Sequence, residues 1–248
     1  MDNLSLTTKT AAAAPIKIVR LTVTQDTICP WCFLGWKELE AAVIQAHKSQ
    51  LPLKFDIELK PYRLDSTLPV RNPLDKKQLY TGRFGSDRFS QIQSVLNERG
   101  ERFGVSFSFE GPIRRSGHCH RLLRYAFDHQ RELYVGECVP LTTCIKNDLQ
   151  SKLTNVLFEA HFINGEDIAD FDVLARCAEQ VGLMSYDDTL DFLNSSAYKE
   201  EVEEMMEEAQ DAGISGVPFT VINSRWAVAG SQSAEQWYSV FEKIAASE

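Results

Sequence analysis

Two segments in the first quarter of the chain alternate between apolar and polar residues. They are IKIVRLTVT at 16–24 and LKFDIELKPY at 53–62, and a period of two is typical of half-buried β-strands. Between them, over 33–47, apolar residues recur at spacings of three and four, which predicts a helix. A strand, a helix and a second strand in this order predict a βαβ unit.

The middle of the chain, from about 67 to 212, shows helical periodicity almost throughout. Apolar residues three and four positions apart predict helices at 90–102, 117–130, 149–160, 171–181 and 198–212. The last of these has one acidic face, and Gly213 follows it as a C-terminal stop. Its opposite, apolar stripe is expected to be buried and consists of Val202, Met205, Met206 and Ala209.

Strand character returns after residue 213. Two short apolar runs, PFTVINS at 218–224 and RWAVAG at 225–230, are joined at Asn223-Ser224-Arg225, which predicts a β-hairpin. The segment that follows is helical in pattern to the end of the chain, with two serines as candidate N-caps, Ser231 and Ser233.

The chain length and the positions of the strands together predict the domain organisation. A chain of 248 residues has room for one large or two small domains. Because the strands lie near both ends, we expect a single α/β domain built from 16–66 and 213–248. A helical insert domain at 67–212 would interrupt it, and 1–15 would form a mobile tail.

Composition and charge exclude several classes of function. Hydrophobic residues make up 44% of the chain, which suffices for a packed core, and no apolar run approaches the roughly 20 residues that span a bilayer. The net charge is −9, and seven carboxylates without a basic residue lie in 200–211. An acidic chain without a basic cluster disfavours nucleic acid and anionic membranes as partners.

The N-terminus and the number of cysteines indicate a reducing compartment. The first residues lack a basic start followed by an apolar segment, so no secretory signal is indicated and we expect a cytoplasmic protein. Six cysteines are too few for a disulfide scaffold. Paired cysteines in such a compartment are more often catalytic or metal-binding than structural.

The strongest chemical signal is the run Cys29-Pro30-Trp31-Cys32 at the start of the first predicted helix. One helical turn brings both thiols to the same side, where they can form a disulfide, and the unpaired N–H groups of a helix N-terminus stabilise a thiolate. Pro30 suits an early helical position because its missing N–H would be unpaired there. Half of a zinc knuckle is the alternative, which we disfavour because no second CxxC or HxxxH stands at zinc-finger spacing; no metal site is expected.

Further motifs, in order along the chain, resemble a known family. The matching residues are DTICPWC at 26–32, KPYRL at 60–64, HRLL at 120–123 and GISGVPFTVINSRWAVAGS at 213–231. The chain resembles the DsbA-like oxidoreductases of the FrnE type, whose relatives include kappa-class glutathione transferases and 2-hydroxychromene-2-carboxylate isomerases. The resemblance spans about 15–248 and implies a thioredoxin-like fold with a helical insert, as in DsbA.

The resemblance also implies a substrate-binding surface. Pro218 matches the family's cis-proline, which faces the CxxC motif, and the backbone of Val217 is implied to pair with a bound peptide or glutathione. Pro30 and Trp31, between the cysteines, are expected to contact the same substrate.

Four other positions have a functional and a structural interpretation. Gly230 and Ser231 match the place where glutathione-using relatives bind a carboxylate, although an ordinary serine cap explains Ser231 equally well. His120 lies where relatives carry a His-Arg pair near the active site, and a structural histidine is the alternative. Asp26 would oppose a thiolate as a charge, so we interpret it as a turn-capping residue.

Three functions are open at this point. The first is a thiol–disulfide oxidoreductase in which Cys29, the exposed thiol, attacks a disulfide-containing protein or small molecule and the buried Cys32 resolves the mixed disulfide, with no bound cofactor. The second is a transferase or isomerase of a small, aromatic or polyketide-derived metabolite, with glutathione as co-substrate. The third is a non-catalytic binding module. Transferase and isomerase relatives usually carry serine in place of the first cysteine, so the two cysteines of this chain favour dithiol chemistry.

One segment, at 134–150, has no counterpart in the family pattern. It contains Cys138, Cys144 and the helix-breaking Pro140. We expect a poorly packed loop, which is either an insertion artefact or, less favoured, a second redox pair.

Overall fold

The computed structural model describes residues 15–133 and 148–247 and assigns most of them to helices and strands. In chain order the elements are β1 (Lys17–Gln25), α1 (Pro30–Lys48), β2 (Leu53–Pro61), β3 (Leu74–Asp75), α2 (Lys76–Phe84), α3 (Ser86–Glu101), β4 (Pro112–Ile113), α4 (Gly117–Leu133), α5 (Leu149–Phe162), α6 (Phe171–Gln180), α7 (Tyr186–Asn194), α8 (Lys199–Asp211), β5 (Phe219–Ile222), β6 (Trp226–Ala229) and α9 (Ala234–Ala246).

Strands from both ends of the chain form one mixed sheet. Its order is β2-β1-β5-β6, with β1 parallel to β2 and antiparallel to β5. The strand β1 is the link between the two ends, because it pairs with β2 on one side and with β5 on the other. The predicted α/β architecture with a helical insert is confirmed.

The C-terminal hairpin and the last helix begin where the sequence indicates a turn and a cap. Asn223 and Ser224 both have positive φ, 50° and 53°, which matches the right-handed twist of a two-residue hairpin. Of the two candidate caps, Ser233 is the one used, and it forms a reciprocal capping box with Gln236.

The segment between the two sheet-forming parts is mostly helical, but four of its elements were not predicted. The helices α2 and α7 were missed, as was a short antiparallel pair formed by β3 and β4. Two hydrophobic clusters fill the interior. One surrounds the sheet, α1 and α9 and takes Phe158 and Phe162 from α5, and the other lies among α4, α5, α6 and α7. The division into two domains at 67 and 212 stays a prediction.

Gln150 corrects the expectation for the end of the segment 134–150. Residues 134–147, with Cys138 and Cys144, and the tail at 1–14 lie outside the described residues. Gln150, however, is not in a poorly packed loop: it is buried in α5, and its amide bonds to both backbone groups of Leu59, accepting from N at 2.9 Å and donating to O at 3.0 Å. Because β2 is an edge strand of the described sheet, its outer backbone groups have no strand partner there, and the side chain of Gln150 pairs those of Leu59.

The helix α2 is fixed by a buried cation at its first residue. Lys76 is fully buried, its Nζ donates to the carbonyl of His161 at the end of α5, and it lies 5.4 Å from the ring centroid of Phe162. Burial lowers the pKa of Lys76 to about 8, although Asp167, Asp75 and Glu110 act in the opposite direction. The native state therefore releases this proton at a lower pH than the unfolded chain does.

We expect the free energy of unfolding to depend on pH through Lys76. Between pH 8 and 10.5 the unfolded chain holds a proton that the native chain has lost, so stability rises with pH across this window. The gain relative to Lys76→Met should be about 3 kcal/mol over this window. Urea unfolding of both proteins at several pH values measures this difference, and a constant difference would contradict the prediction.

Candidate active site

The two cysteines lie where β1 passes into α1. After Gln25 a tight turn, closed by the bond from Cys29 N to Asp26 O at 3.0 Å, reverses the chain. Cys29 is the N-cap of α1, with φ −96° and ψ 113°, and Pro30 takes the first helical position. Cys32 is therefore one turn inside the helix, as the motif predicts.

The cis bond between Val217 and Pro218 faces this pair of cysteines. The sulfur of Cys29 lies 3.6 Å from the carbonyl oxygen of Val217. Cys32 in turn forms a side-chain hydrogen bond with Cys29, so the two sulfurs lie side by side in the reduced protein. The cis peptide bond is confirmed, and so is the proximity of the pair.

The expectation that Cys29 is exposed is wrong. Its relative accessibility is 3%, and that of Cys32 is 1%. The helix α2 covers Cys29, because Tyr80 on this helix packs close enough for its hydroxyl to donate to Ile28 O at 3.3 Å. The two thiols therefore differ in what they face rather than in exposure: Cys29 lines a pocket under α2, whereas Cys32 lines a small cavity between α1 and the sheet.

Burial keeps the inner thiol protonated. It raises the pKa of Cys32 well above its ordinary value, and the hydrogen bond with Cys29 and the charge of that residue raise it further. Burial also raises the pKa of the Tyr80 phenol, so this hydroxyl is a neutral donor above the site. Cys32 can act as a nucleophile only after it loses a proton inside the protein.

Asp26 caps the turn, as predicted, and connects it to two other elements. Its Oδ1 accepts from Ile28 N at 3.2 Å, and its Oδ2 accepts from Leu64 N at 2.9 Å. Nε2 of His120, on α4, lies 3.4 Å from Oδ1, and both side chains are buried. His120 thus contacts the cysteine turn through the carboxylate of Asp26.

The pocket under α2 has a volume of about 260 Å³ and is mainly apolar. Cys29, Trp31 and Val217 form one side of it. The rest of the lining includes Leu64, from the KPYRL motif, and residues that the sequence did not indicate, namely Leu68, Leu79, Tyr80, Phe84, Ile92 and Ile113. A signal for α2 was present: Asp75, three residues before Gln78, has the spacing of an N-terminal cap, and Asp75 does accept from Gln78 N at 2.7 Å.

Gly230 and Ser231 lie beside Cys32 and not in the pocket of Cys29. Both line the small cavity together with Pro218, and Gly230 N donates to Pro218 O at 2.8 Å. Arg99, on α3, approaches Ser231 with its Nη2 3.4 Å from Oγ and 3.5 Å from the carbonyl oxygen. Arg99 is itself paired with the buried Glu38 at 3.1 Å. Since Ser233 caps α9, Ser231 keeps its hydroxyl for this arginine.

Two other features bear on the class of site. Within 15–133 and 148–247, no group of three or more His, Cys, Asp or Glu side chains is placed to hold a metal ion. None of the helices in these ranges is both long and apolar enough to cross a bilayer.

A mixed sheet with a cysteine pair at a helix start opposite a cis-proline defines a thioredoxin-like protein. The model of the DSBA-like thioredoxin domain matches residues 20–241, and the chain belongs to this family. Its resemblance to DsbA-like proteins is thereby confirmed, and the FrnE type is compatible with it.

Individual relatives agree with this assignment. The protein YwbO of Bacillus subtilis (strain 168) is 25% identical over 209 residues, which is 82% of this chain and 86% of that protein. The probable DsbA oxidoreductase SCO1869 of Streptomyces coelicolor superposes with a TM-score of 0.75 at 19% identity, over 93% of this chain and 91% of its own. The cytosolic disulfide reductase DsbM of Pseudomonas aeruginosa, solved with GSH, gives 0.57 at 14% identity, over 91% and 98%.

We expect Asp26→Asn to destabilise the protein, because an amide cannot replace both carboxylate oxygens as acceptors. One of the bonds from Ile28 N and Leu64 N would be lost, and a buried N–H would stay unpaired, which costs about 1–3 kcal/mol. Urea unfolding measures this loss, with Asp211→Asn on the exposed end of α8 as the matched control. Equal stability of the two variants would show that Asp26 does not hold the turn.

Proposed function

We propose that this protein is a thiol–disulfide oxidoreductase that uses Cys29 as nucleophile and Cys32 as resolving thiol. The observation that carries the proposal is the contact between two reduced thiols at the start of α1, with the outer sulfur 3.6 Å from the carbonyl of Val217. A helix N-terminus stabilises negative charge on the sulfur at its cap. Membership of a family with oxidoreductase relatives supports the same reaction.

In the first step the thiolate of Cys29 attacks one sulfur of a substrate disulfide. A new S–S bond forms between Cys29 and that sulfur, the substrate bond breaks, and the other substrate sulfur leaves as a thiolate that takes up a proton. In the second step Cys32 loses its proton and attacks the sulfur of Cys29. The Cys29–Cys32 disulfide forms, the second substrate sulfur leaves as a thiol, and the substrate has gained two electrons.

Substrate would bind along the backbone beside the cis-proline. Val217 lines the pocket two residues before β5, outside the strand pairings of the sheet, where its backbone can pair with an extended peptide. Pro30 and Trp31 would flank the reacting sulfur from the helix side. The apolar pocket under α2 accommodates one large side chain or one small molecule in contact with the disulfide.

Net reduction of substrates in the cytoplasm is the direction we propose. Two glutathione molecules would restore the dithiol: each contributes one electron and one proton, and glutathione disulfide is released. DsbM, a cytosolic disulfide reductase solved with GSH, shares the fold, which makes this direction reasonable. The acidic chain without a basic cluster agrees with a small-molecule or protein substrate.

A second candidate function is a glutathione-dependent transferase or isomerase. The enclosed apolar pocket beside Cys29 favours it, because such a pocket suits an aromatic metabolite better than a polar peptide. The thiolate of glutathione would add to an electrophilic carbon of the metabolite, and Ser231 with Arg99 would hold a glutathione carboxylate.

The two cysteine variants should behave differently if the first proposal is right. Cys29→Ser should form no adduct with a disulfide substrate, because the thiolate at the helix start is gone. In Cys32→Ser, Cys29 should still attack the substrate and form a mixed disulfide, which then stalls because no thiol resolves it. Mass spectrometry of each variant after incubation with the substrate measures both outcomes, with Cys177→Ser, in the insert, as the control. An adduct on Cys29→Ser at Cys32, with none on Cys32→Ser, would reverse the roles.

Turnover of an electrophile separates the two candidate functions. If glutathione is the nucleophile, Cys32→Ser should conjugate glutathione to a quinone-like substrate as fast as the unmodified protein, since no disulfide forms in that reaction. If the dithiol carries the activity, the same variant should lose nearly all turnover of a disulfide substrate. Product analysis by chromatography with both substrates gives the answer.

A further inference from the structure

The small cavity behind Cys32 contains two polar groups that the protein itself does not pair. Nε2 of Gln25 and Nε1 of Trp36 are both buried without a hydrogen-bond partner. Both residues line the cavity, together with Cys32. Buried polar groups are almost always hydrogen-bonded, so two unpaired donors at the same cavity require an acceptor there.

The size of the cavity limits that acceptor to one small molecule. The room for a water-sized sphere is about 10 Å³, close to the volume that a single buried water needs. Both unpaired groups are N–H donors, so a cation does not fit and an oxygen with lone pairs does. The half-buried Ser231 and Gln232 form the outer wall of the cavity and give water a short route from the surface.

We propose that one water molecule occupies this cavity, accepts hydrogen bonds from Gln25 Nε2 and Trp36 Nε1, and donates a hydrogen bond to the sulfur of Cys32. A water molecule has two lone pairs and two hydrogens. With both lone pairs engaged by the two N–H groups, its hydrogens are the groups left to point at other atoms, and the thiol sulfur on the cavity wall is an acceptor.

Such a water would stabilise the thiolate that Cys32 must form in the second step. The titratable groups that act on Cys32 are Cys29 at the start of the same helix, Asp26 in the preceding turn and Tyr80 on α2. The charges of Cys29 and Asp26 raise the pKa of Cys32, a hydrogen bond from the backbone of Asp26 lowers it, and the Tyr80 hydroxyl is neutral. A water held in place by Gln25 and Trp36 adds a second stabilising influence on the thiolate, as a fixed dipole in a buried site.

The inference rests on the proposed oxidoreductase function, and it concerns the second step of that reaction. The Cys32 thiol loses its proton, its sulfur attacks the Cys29 sulfur of the mixed disulfide, and the Cys29–Cys32 bond forms as the bond to the substrate breaks. The proton ends on the departing substrate thiolate. The water is not consumed, and Gln25 and Trp36 act as positioning residues.

The test is the pH dependence of the second step. The mixed disulfide is formed in a rapid first mixing, and the release of the second substrate thiol is then followed by quenched flow at a series of pH values. Gln25→Leu removes the side-chain amide at similar volume, and Trp36→Phe removes the indole N–H together with one of its two rings. We expect each to move the pH midpoint of this step upward by about one to two units. Below the midpoint the rate should fall about 10- to 100-fold, and the first step should keep its rate.

A matched control and a structural readout complete the test. Thr154→Val removes a buried, unpaired polar group of another kind, a hydroxyl on α5 outside the cavity lining. This variant should leave the pH midpoint of the second step unchanged. A high-resolution crystal structure of the reduced protein should show a water within hydrogen-bond distance of Gln25, Trp36 and Cys32. If both variants keep the midpoint, or if no water lies there, the proposal is overturned. If the unmodified protein never forms the mixed disulfide, the oxidoreductase function itself is wrong.

Discussion

The register between β1 and β5 determines where the reactive sulfur lies. Thr24 stands opposite Phe219, so Pro218 and the end of β1 meet at the same edge of the sheet. This pairing brings the carbonyl of Val217 to the sulfur of Cys29, although the two residues are far apart in sequence. A slip of one residue would turn each side chain of β5 to the other face and would move that carbonyl away from the helix start.

The protein buries both thiols next to this contact between Val217 and Cys29 and gives them different surroundings. The outer sulfur meets an apolar pocket roofed by α2, and the inner sulfur meets a small cavity that contains two unpaired N–H groups. The roof depends on Lys76, which holds the start of α2 against the end of α5. Residues 16–66 and 213–248 thus supply the dithiol and line the small cavity, and α2 and α3 complete the wall of the pocket beside Cys29.

The sequence indicated most of the elements and the reactive motif, because both depend on the spacing of residues that are close together in the chain. The periodicities of β1, α1 and α4, the hairpin at Asn223 and the helix start at Cys29 each involve neighbouring residues. The exposure of Cys29 was predicted wrongly because α2, a short helix with few apolar residues, covers it from a distant part of the chain. Nothing in the sequence indicated that Gln25 and Gln150 are buried. The cavity around Gln25 is lined by residues distant in sequence, and Gln150 bonds to the backbone of Leu59 on β2.

The sheet joins residues that are far apart in the sequence, and this has a consequence for biosynthesis. Lys17 donates to the carbonyl of Ile244, a separation of 227 residues, and β1 pairs with a strand that is translated near the end of the chain. Contacts between such distant residues form slowly, and during synthesis the C-terminal partner does not yet exist. The CPWC segment therefore leaves the ribosome without the strand that will face it. The contact between the sulfur of Cys29 and the carbonyl of Val217 forms only once both parts of the sheet have been synthesised.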